Sequence, residues 1–435
     1  MISYKINSGI NGIIKVPADK SISHRSIIIP SISNGVTEVN NLLKSDDVLH
    51  TLKAFKELGV KIKNENGRII IFGNGLNSLT KPKQNIYLGN SGTSARLLTG
   101  LLSSQTFIST IEGDKSLSSR PMQRIIDPLK LMGAEFNNLS SKLPLTIVGK
   151  KLKSTNLIID IPSAQIKSGL ILAALNTKGT TKIVETNITR DHTENMLSSF
   201  DADIFIEKKD SKKIISINGQ KELKSNNIDV PSDLSSSAFF IVAALINKGS
   251  KISMLNININ PTRDGIIIAL KKMGAKINLK NKRFLSGEIV ADIEVESSDL
   301  VGCELNPEMA KLMIDEYPIL SIAAAFAEGP SLFKGLAELK VKESDRLELI
   351  RLNLTKCGCE CEVINNDLLI KPSKNYIPID NKIRTDFDHR IAMSFVIMGS
   401  KVGNLLIEDI ESINTSFPNF IEIYNNSGGS FLWKK

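Results

Sequence analysis

The phrase Leu129-Lys-Leu-Met-Gly-Ala-Glu-Phe136 returns as Phe55-Lys-Glu-Leu-Gly-Val-Lys-Ile62 and as Leu270-Lys-Lys-Met-Gly-Ala-Lys-Ile277. Looser copies are Leu197-Ser-Ser-Phe-Asp-Ala-Asp-Ile204, Leu354-Thr-Lys-Cys-Gly-Cys-Glu-Cys361 and Tyr424-Asn-Asn-Ser-Gly-Gly-Ser-Phe431. The glycine position falls at Gly59, Gly133, Asp201, Gly274, Gly358 and Gly428, with gaps of 74, 68, 73, 84 and 70 residues. That period is close to one sixth of the 435-residue chain. Each copy reads as the end of an amphipathic helix, a glycine cap, and the start of a strand. Around the first copy, Val48, Leu49, Leu52, Phe55 and Leu58 follow helical spacing, and Val60-Lys-Ile-Lys and Arg68-Ile-Ile-Ile-Phe72 read as strands. Units of about 70 residues are too long for solenoid repeats such as ankyrin. They predict an α/β protein of two lobes with three units each. Coincidence among common Leu-Lys-Gly phrases does not produce six positions at five near-even spacings.

Composition narrows the class. Hydrophobic residues make up 41% and charged residues 23%, which fits a soluble globular chain able to bury a sizeable core. The longest apolar run, Ala238 to Ile246, is far short of the ~20 residues that a membrane span needs. Residues 1–20 contain Asn, Gly, Pro and Asp where a signal peptide requires an apolar stretch. A cytoplasmic protein is therefore expected. The 55 Lys+Arg exceed the 46 Asp+Glu, leaving a formal charge of +9. Nucleic-acid binding would use such an excess. However, aromatics are only 5%, and RNP, zinc-finger and basic-zipper signatures are lacking. Part of the excess is expected at solvated positions such as Lys208, Lys209, Lys212 and Lys213. The rest points to small polyanionic substrates, because several arginines lie in Gly/Ser-rich turns.

Four cysteines, Cys303, Cys357, Cys359 and Cys361, are too few for a disulfide scaffold. A strand over the Cys-Gly-Cys-Glu-Cys run would put three thiols on one face. There is no CxxC pair or neighbouring His to complete a zinc site, so buried free thiols are expected.

Five segments place charge in Gly, Ser or Pro contexts. In Val16-Pro-Ala-Asp-Lys-Ser-Ile-Ser-His-Arg25, Lys20 and Ser21 lie at a helix start, with Arg25 just over one turn later. Free N–H groups, the helix dipole and two cations there make an anion site; an exposed helix start is the ordinary alternative. His24 reads as a structural or surface residue, not a catalyst. Leu88-Gly-Asn-Ser-Gly-Thr-Ser-Ala-Arg-Leu-Leu98 lets backbone approach a ligand at Gly89 and Gly92. It has neither the Walker ending nor the dinucleotide spacing. Gly113-Asp-Lys-Ser-Leu-Ser-Ser-Arg-Pro-Met122 sets Arg120, a bidentate anion binder, in a polar loop. Ile161-Pro-Ser-Ala-Gln-Ile-Lys-Ser168 and Thr189-Arg-Asp-His-Thr-Glu194 add Gln165 and Arg190, with Lys167 expected in its more common solvated state.

The densest segment joins Asp315-Glu-Tyr-Pro318, Val341-Lys-Glu-Ser-Asp-Arg346 and Asp386-Phe-Asp-His-Arg390. Lys342 and Arg346 are four apart, so a helical turn would put them on one face, with Glu343 beside them. A carboxylate among cations is poised for proton transfer while the cations hold an anion. Singly, each cluster could be a surface ion-pair network. Together they are best explained by one cleft between two lobes.

The set Asp19-Lys-Ser-Ile-Ser-His-Arg25, Leu88-Gly-Asn-Ser-Gly-Thr93, Ser163-Ala-Gln165, Asp315-Glu-Tyr-Pro318, Lys342-Glu-Ser-Asp-Arg346 and Asp388-His-Arg-Ile-Ala-Met393 closely resembles the 5-enolpyruvylshikimate-3-phosphate synthase family, in the same order across almost the whole chain. The resemblance implies a two-lobed inside-out α/β barrel of six βαβαββ repeats. Residues 1–14 and 230–435 would form lobe I and residues 15–229 lobe II, with the active site in the cleft. It implies metal-free, cofactor-free transfer of the enolpyruvyl group of phosphoenolpyruvate to the 5-hydroxyl of shikimate 3-phosphate, by a monomer. Lys20, Ser21, Arg25, Ser163, Ala164, Gln165, Arg190, Asp315 and Lys342 would bind shikimate 3-phosphate. Lys20, Gly92, Arg120, Gln165, Arg346 and Arg390 would bind phosphoenolpyruvate. Asp315, Glu343 and Lys20 would be catalytic.

Thr415 stands where many members have a Lys. With Ser163-Ala-Gln165 and Thr189-Arg-Asp-His192, it resembles the second, glyphosate-tolerant class, whereas Gly92 is typical of sensitive members. The combination implies intermediate or ordinary sensitivity. The nearest rival is the UDP-N-acetylglucosamine enolpyruvyl transferase of the same fold, in which a loop Cys precedes the Arg-Pro. Here that position is Lys115, and no Cys precedes Cys303. A basic scaffold or nucleic-acid protein would leave the paired Asp315 and Glu343 unexplained.

Overall fold

The computed structural model describes residues 1–137, 141–210, 212–373 and 376–433. All six repeat positions adopt left-handed backbone: φ is 89° at Gly59 and Gly133, 62° at Asp201, 90° at Gly274, 85° at Gly358 and 111° at Gly428. In each copy the residue after this position donates to the carbonyl five residues back. The pairs are Val60 to Phe55 (3.0 Å), Ala134 to Leu129 (3.0 Å), Ala202 to Leu197 (3.1 Å), Ala275 to Leu270 (3.0 Å), Cys359 to Leu354 (3.0 Å) and Gly429 to Tyr424 (2.9 Å). This is the Schellman closure of a helix, and a strand follows each one.

The described residues form six four-stranded sheets. The unit containing Gly133 shows the plan. Strand Ile86–Tyr87 leads to helix Gly92–Ser103, parallel strand Ile108–Glu112, helix Gln123–Leu131, and the hairpin strands Glu135–Asn137 and Leu145–Val148. This βαβαββ order recurs, but three sheets take a strand from a distant part of the chain, and in one of them Ile228–Asp229 pairs parallel to Asn34–Asn40. Strand Ile2–Ser3 pairs antiparallel to Leu405–Ile407 and Phe431–Leu432, and Asn11–Ile13 pairs parallel to Lys251–Asn258. Two units of the C-terminal half are thus completed by the chain's first strands.

The two helices of a unit differ because they face different surroundings. The second is amphipathic: in Asp46–Glu57, Val48, Thr51, Ala54 and Phe55 are buried. Leu49 fits the helical spacing but points outward, 45% exposed. The first helix is buried nearly all round, as Leu234–Ile246 shows over its whole length; a helix apolar on every side belongs in a core. No helix among the described residues is long and apolar enough to cross a membrane.

The chain divides into two compact units. Unit 1 comprises Met1–Pro17, Ser232–Arg283 and Ile289–Lys435, and unit 2 comprises Ala18–Pro231 and Phe284–Glu288. Each has its own hydrophobic core. In unit 2 the central helices are Lys20–Ser31, Gly92–Ser103 and Ala164–Leu175. The last two approach so closely that a Cβ on Gly100 would lie 1.9 Å from the Gly169 carbonyl oxygen, so only glycine fits. In unit 1 they are Leu234–Ile246, Tyr317–Ala325 and His389–Val402.

All four cysteines are buried and free. Cys357 caps helix Arg346–Lys356 and only Cys361 lies in strand Glu360–Ile364, so the expected single strand face is replaced by a helix end and a strand. Burial pushes the Cys357 and Cys359 thiols up to about 12.

Candidate active site

Part of the sequence-predicted set sits at the N-termini of the central helices: Lys20, Ser21, Gly92, Ala164 and Gln165 in unit 2 and Arg390 in unit 1. Each helix start presents unpaired N–H groups and a positive dipole end, a field suited to anions. At the opposite end of unit 1, a cavity of about 810 Å³ is lined by Lys248, Lys276 and Lys401. Lysines there match the negative helix ends.

In unit 2, Asp19 caps the first helix by accepting from the Ile22 N–H (2.9 Å). Lys20, its first residue, is ion-paired to the buried Asp47. Arg25 is 3% exposed. Its Nε donates to Thr193 Oγ1 (2.7 Å), its Nη1 to the Ser21 carbonyl (2.9 Å) and its Nη2 to Ser168 Oγ (2.8 Å). Burial pushes its guanidinium down to about 10, with Glu194 nearest in opposing that and Arg190 adding to it. Arg190 is half-buried in the loop before helix His192–Ser199.

His24 is fully buried, with Nδ1 2.8 Å from Thr51 Oγ1 and 3.2 Å from Ser94 Oγ, so it ties the first helix to its neighbours. Burial first, then Lys20 and Arg25, hold its imidazole well below the ordinary 6.5. The unfolded chain takes up a proton there below about pH 6.5 and the folded chain does not. This contribution is therefore full above that pH and is lost as pH falls. The melting temperature should drop more steeply from about pH 6.5 to 5 in the parent than in His24→Gln; equal slopes would remove His24 from the effect.

At the second helix, Ser91 caps by accepting from the Ser94 N–H, and Gly92 is the first residue. A Cβ on Gly92 would lie 2.7 Å from Arg96 Nη1 and 3.2 Å from Arg120 Nη1, so the missing side chain is what leaves room for two guanidinium groups. Arg96 donates to the Gly92 carbonyl (3.2 Å) and to Gln165 Oε1 (2.7 Å), while Gln165 Nε2 donates to Thr93 Oγ1 (3.1 Å). Arg120 is 7% exposed, not solvated in its loop. It donates to the Asn90 side-chain and backbone oxygens and to Ser116 Oγ (3.1 Å). Ser163 caps the third helix through the Ile166 N–H, placing Ala164 and Gln165 in its first turn. Arg96 was not among the expected site residues, although its spacing of four from Gly92 signals one helical turn.

Two lysine expectations are corrected. Lys167 is fully buried, held by Glu185 (3.0 Å) and Glu194 (2.9 Å). Lys213 is 2% exposed and paired with Glu194 at 2.8 Å. Carboxylates from other elements offset their desolvation. Lys208, Lys209 and Lys212 are exposed as expected.

In unit 1, Arg346 is fully buried and is the hub. Its Nε donates to Asp388 Oδ2 (2.8 Å), its Nη1 to Asp315 Oδ1 (3.2 Å), and its Nη2 lies 2.6 Å from Glu343 Oε2. Burial opposes its charge, but Asp388, Glu343 and Asp315 raise its pKa above the ordinary arginine value. Lys342 Nζ is 3.5 Å from the same Asp315 oxygen. Lys342 and Arg346 do not share a helical turn. Lys342 ends the 3-10 turn Ala337–Val341 and Arg346 begins helix Arg346–Lys356, because Asp345 intervenes as N-cap and accepts from the Glu348 N–H (3.0 Å). They converge on Asp315 from two elements.

Asp388 caps helix His389–Val402 through the Arg390 N–H (2.9 Å), and Arg390 Nη1 donates to the Asp315 carbonyl (3.2 Å). Thr415 Oγ1 is 3.3 Å from His389 Nδ1. Asp388 lies inside a quoted motif, but its grip on Arg346 depends on a contact 42 residues away in sequence. No group of three or more metal-ligating side chains is present among the described residues.

The unit 2 residues thus form anion cradles at helix starts, and the unit 1 residues set three carboxylates, Asp315, Glu343 and Asp388, on the buried Arg346 guanidinium, with Lys342 and Arg390 beside Asp315. The EPSP synthase (3-phosphoshikimate 1-carboxyvinyltransferase) family model matches residues 4–424. The 3-phosphoshikimate 1-carboxyvinyltransferase of Vesicomyosocius okutanii subsp. Calyptogena okutanii (strain HA) is 44% identical over 96% of this chain and 95% of its own. That of Ruthia magnifica subsp. Calyptogena magnifica is also 44% identical, over 98% and 97%. The solved EPSP synthase of Acinetobacter baumannii superposes with a TM-score of 0.85 at 42% identity, covering 98% of both chains. The family model, the full-length relatives and the solved structure agree, and the chain belongs to the EPSP synthase (3-phosphoshikimate 1-carboxyvinyltransferase) family.

Proposed function

We propose that this protein transfers the enolpyruvyl group of phosphoenolpyruvate to the 5-hydroxyl of shikimate 3-phosphate and releases inorganic phosphate, a step toward chorismate and the aromatic amino acids. The observation that carries the reading is the pair of carboxylates, Asp315 and Glu343, on the single buried guanidinium of Arg346. Addition forms a C–O bond at C2 of phosphoenolpyruvate as the hydroxyl loses its proton and the methylene carbon gains one. Elimination expels phosphate as that carbon gives a proton back, restoring the double bond. Both stages need a base and an acid beside bound anions.

In this reading Asp315 accepts the hydroxyl proton and Glu343 serves the methylene carbon. Lys20, Ser21, Arg25, Ser163, Ala164, Gln165, Arg190 and Lys342 hold shikimate 3-phosphate. Lys20, Gly92, Arg120, Gln165, Arg346 and Arg390 hold phosphoenolpyruvate. Residues of both compact units serve one reaction, carried out by a cytoplasmic monomer. Two polyanions repel in water; fixed cations offset that repulsion and supply proximity. Phosphate release with phosphoenolpyruvate plus shikimate 3-phosphate tests the reading. Release with UDP-N-acetylglucosamine instead would move the chain to the rival transferase.

In the same reading, the second-class motifs and Gly92 combine into measurable glyphosate inhibition of intermediate or ordinary strength. Gly92→Ala puts a methyl group against Arg96 and Arg120, and overpacking of that kind costs about 1–3 kcal/mol. The variant's KM for phosphoenolpyruvate should rise about 5- to 100-fold, with glyphosate inhibition weakened in parallel. Undetectable inhibition of the parent near that KM, or inhibition unchanged by the substitution, would overturn the assignment.

A further inference from the structure

Behind Arg25 and Arg190 lies a charged cluster that the reaction does not use. Lys167, Glu185, Glu194 and Lys213 are each no more than 2% exposed. Glu194 Oε1 receives both ammonium groups, Lys167 at 2.9 Å and Lys213 at 2.8 Å. Lys167 also reaches Glu185 Oε2 at 3.0 Å. The four buried charges alternate and balance as two plus two, and at the rim Lys213 Nζ also lies 3.7 Å from Asp191 Oδ2.

Such a cluster is an expensive way to hold a fold together. Apolar side chains of similar volume would do as well or better. Its value must lie in what it fixes, and its contacts lead to the two arginines. Lys167 Nζ donates to the Thr189 carbonyl (3.3 Å), and Thr189 Oγ1 donates to Glu185 Oε1 (2.5 Å). Both backbone and side chain of the residue before Arg190 are therefore anchored in it. On the other side, Lys167 and Glu194 are sequence neighbours of Ser168 and Thr193. Those two hydroxyls are 2.7 Å apart and each accepts from Arg25.

The electrostatics agree with this division. Burial opposes the charge of Glu194, but Lys167 and Lys213 overcome it and hold its carboxyl below the usual range. Glu185 has one ammonium partner, Lys167, and the Thr189 hydroxyl, and burial outweighs both and raises it.

We propose that the buried quartet Lys167, Glu185, Glu194 and Lys213, with Thr189, is a positioning element for Arg25 and Arg190, and sets affinity for the phosphate of the acceptor separately from affinity for phosphoenolpyruvate. The inference rests on the reading of Arg25 and Arg190 as acceptor-phosphate ligands. The quartet touches neither substrate. It holds Arg190 through Thr189 and Arg25 through the Ser168–Thr193 hydroxyl pair.

Three variants of the full chain test it, with KM for each substrate, kcat, calorimetric binding of shikimate 3-phosphate and melting temperature measured for all. Arg190→Ala is the reference for the reading itself. Lys167→Met/Glu185→Leu removes one neutral pair, leaves Glu194 with Lys213, and frees Thr189 from both anchors. Thr189→Val removes only the hydroxyl, and serves if the double variant does not fold. The double variant should weaken shikimate 3-phosphate about tenfold, the loss of a charge-assisted contact. Its KM for phosphoenolpyruvate should stay within about twofold, because the groups assigned to that substrate lie outside the quartet. Thr189→Val should move the same constant in the same direction by a smaller factor.

If Arg190→Ala weakens acceptor binding and neither other variant does, the quartet is not a positioning element. If both KM values rise together as melting temperature falls, its role is merely structural and the proposal fails. If Arg190→Ala leaves acceptor binding unchanged, the ligand assignment is wrong and the inference falls with it.

Discussion

Asp315→Asn should release phosphate about 10²- to 10⁴-fold more slowly than the parent, the usual loss when a positioned general base is removed. The substitution keeps the side chain's shape. An Asn oxygen still accepts from Arg346 Nη1, now 3.2 Å from Asp315 Oδ1, and Lys342 still approaches at 3.5 Å. What it removes is the capacity to take a proton. The loss should therefore appear in kcat and kcat/KM together, with KM for either substrate changed little, the signature of a group that acts in the transition state. Circular dichroism and melting temperature should stay close to the parent, because the side chain is 16% exposed and its main contacts survive. Glu343→Gln should show a comparable loss. The double variant should lose less than the product of the two, since both carboxylates share the Arg346 guanidinium and act as one unit. An Asp315→Asn enzyme retaining more than about a tenth of parental kcat would remove Asp315 from proton transfer.

The fold was legible because its signal is local and repeated. A helix that must stop and turn back into a strand needs a left-handed residue. Glycine meets that need at five of the six repeat positions, with Asp201 at the sixth. The candidate site stood out in the sequence for a related reason. Its residues flank helix starts, where Asp, Ser, Gly and Lys are chosen by capping and by anion affinity at once. Lys20, Gly92, Ala164, Arg346 and Arg390 all lie in the first turn of a helix.

What sequence does not carry is which charges are buried. Lys212 and Lys213 are neighbours on one strand, yet only the second faces inward, because strand side chains alternate. Its burial is tolerable only because Glu194 arrives from another element. The separation of Lys342 from Arg346 failed as a one-helix reading for a different reason. Asp345 is a good N-cap, and it starts the helix four residues too late to include Lys342.

Arg346→Met is the substitution with the largest expected effect on stability. Met fills most of the volume of the arginine stem, so the loss is one of charge and hydrogen bonds more than of packing. The parent guanidinium is fully buried and is met by Asp388, Asp315 and Glu343. Asp388 is itself fully buried and caps the helix that carries Arg390. Removing one partner of such a cluster leaves an uncompensated buried charge and costs about 3–5 kcal/mol. For a unit of this size that corresponds to a melting temperature lower by about 6–20 °C.

Activity should fall as well, by at least the ~10²- to 10³-fold typical of losing one electrostatic donor at a reacting centre. Arg346→Lys should recover little, because an ammonium group cannot reach three carboxylates from one planar fork. The discriminating variant is Arg346→Met/Asp388→Asn. If the stability loss comes from the stranded Asp388 charge, neutralising it should return at least about half of the lost melting temperature while activity stays low. If melting temperature is not recovered, the loss lies in the Asp315 and Glu343 contacts, and Asp388 is only a helix cap. Recovery of stability without recovery of turnover would separate the two roles of one guanidinium. On that outcome its pairing with Asp388 would hold the unit together, and its pairing with Asp315 and Glu343 would keep the two carboxylates where the proposed reaction needs them.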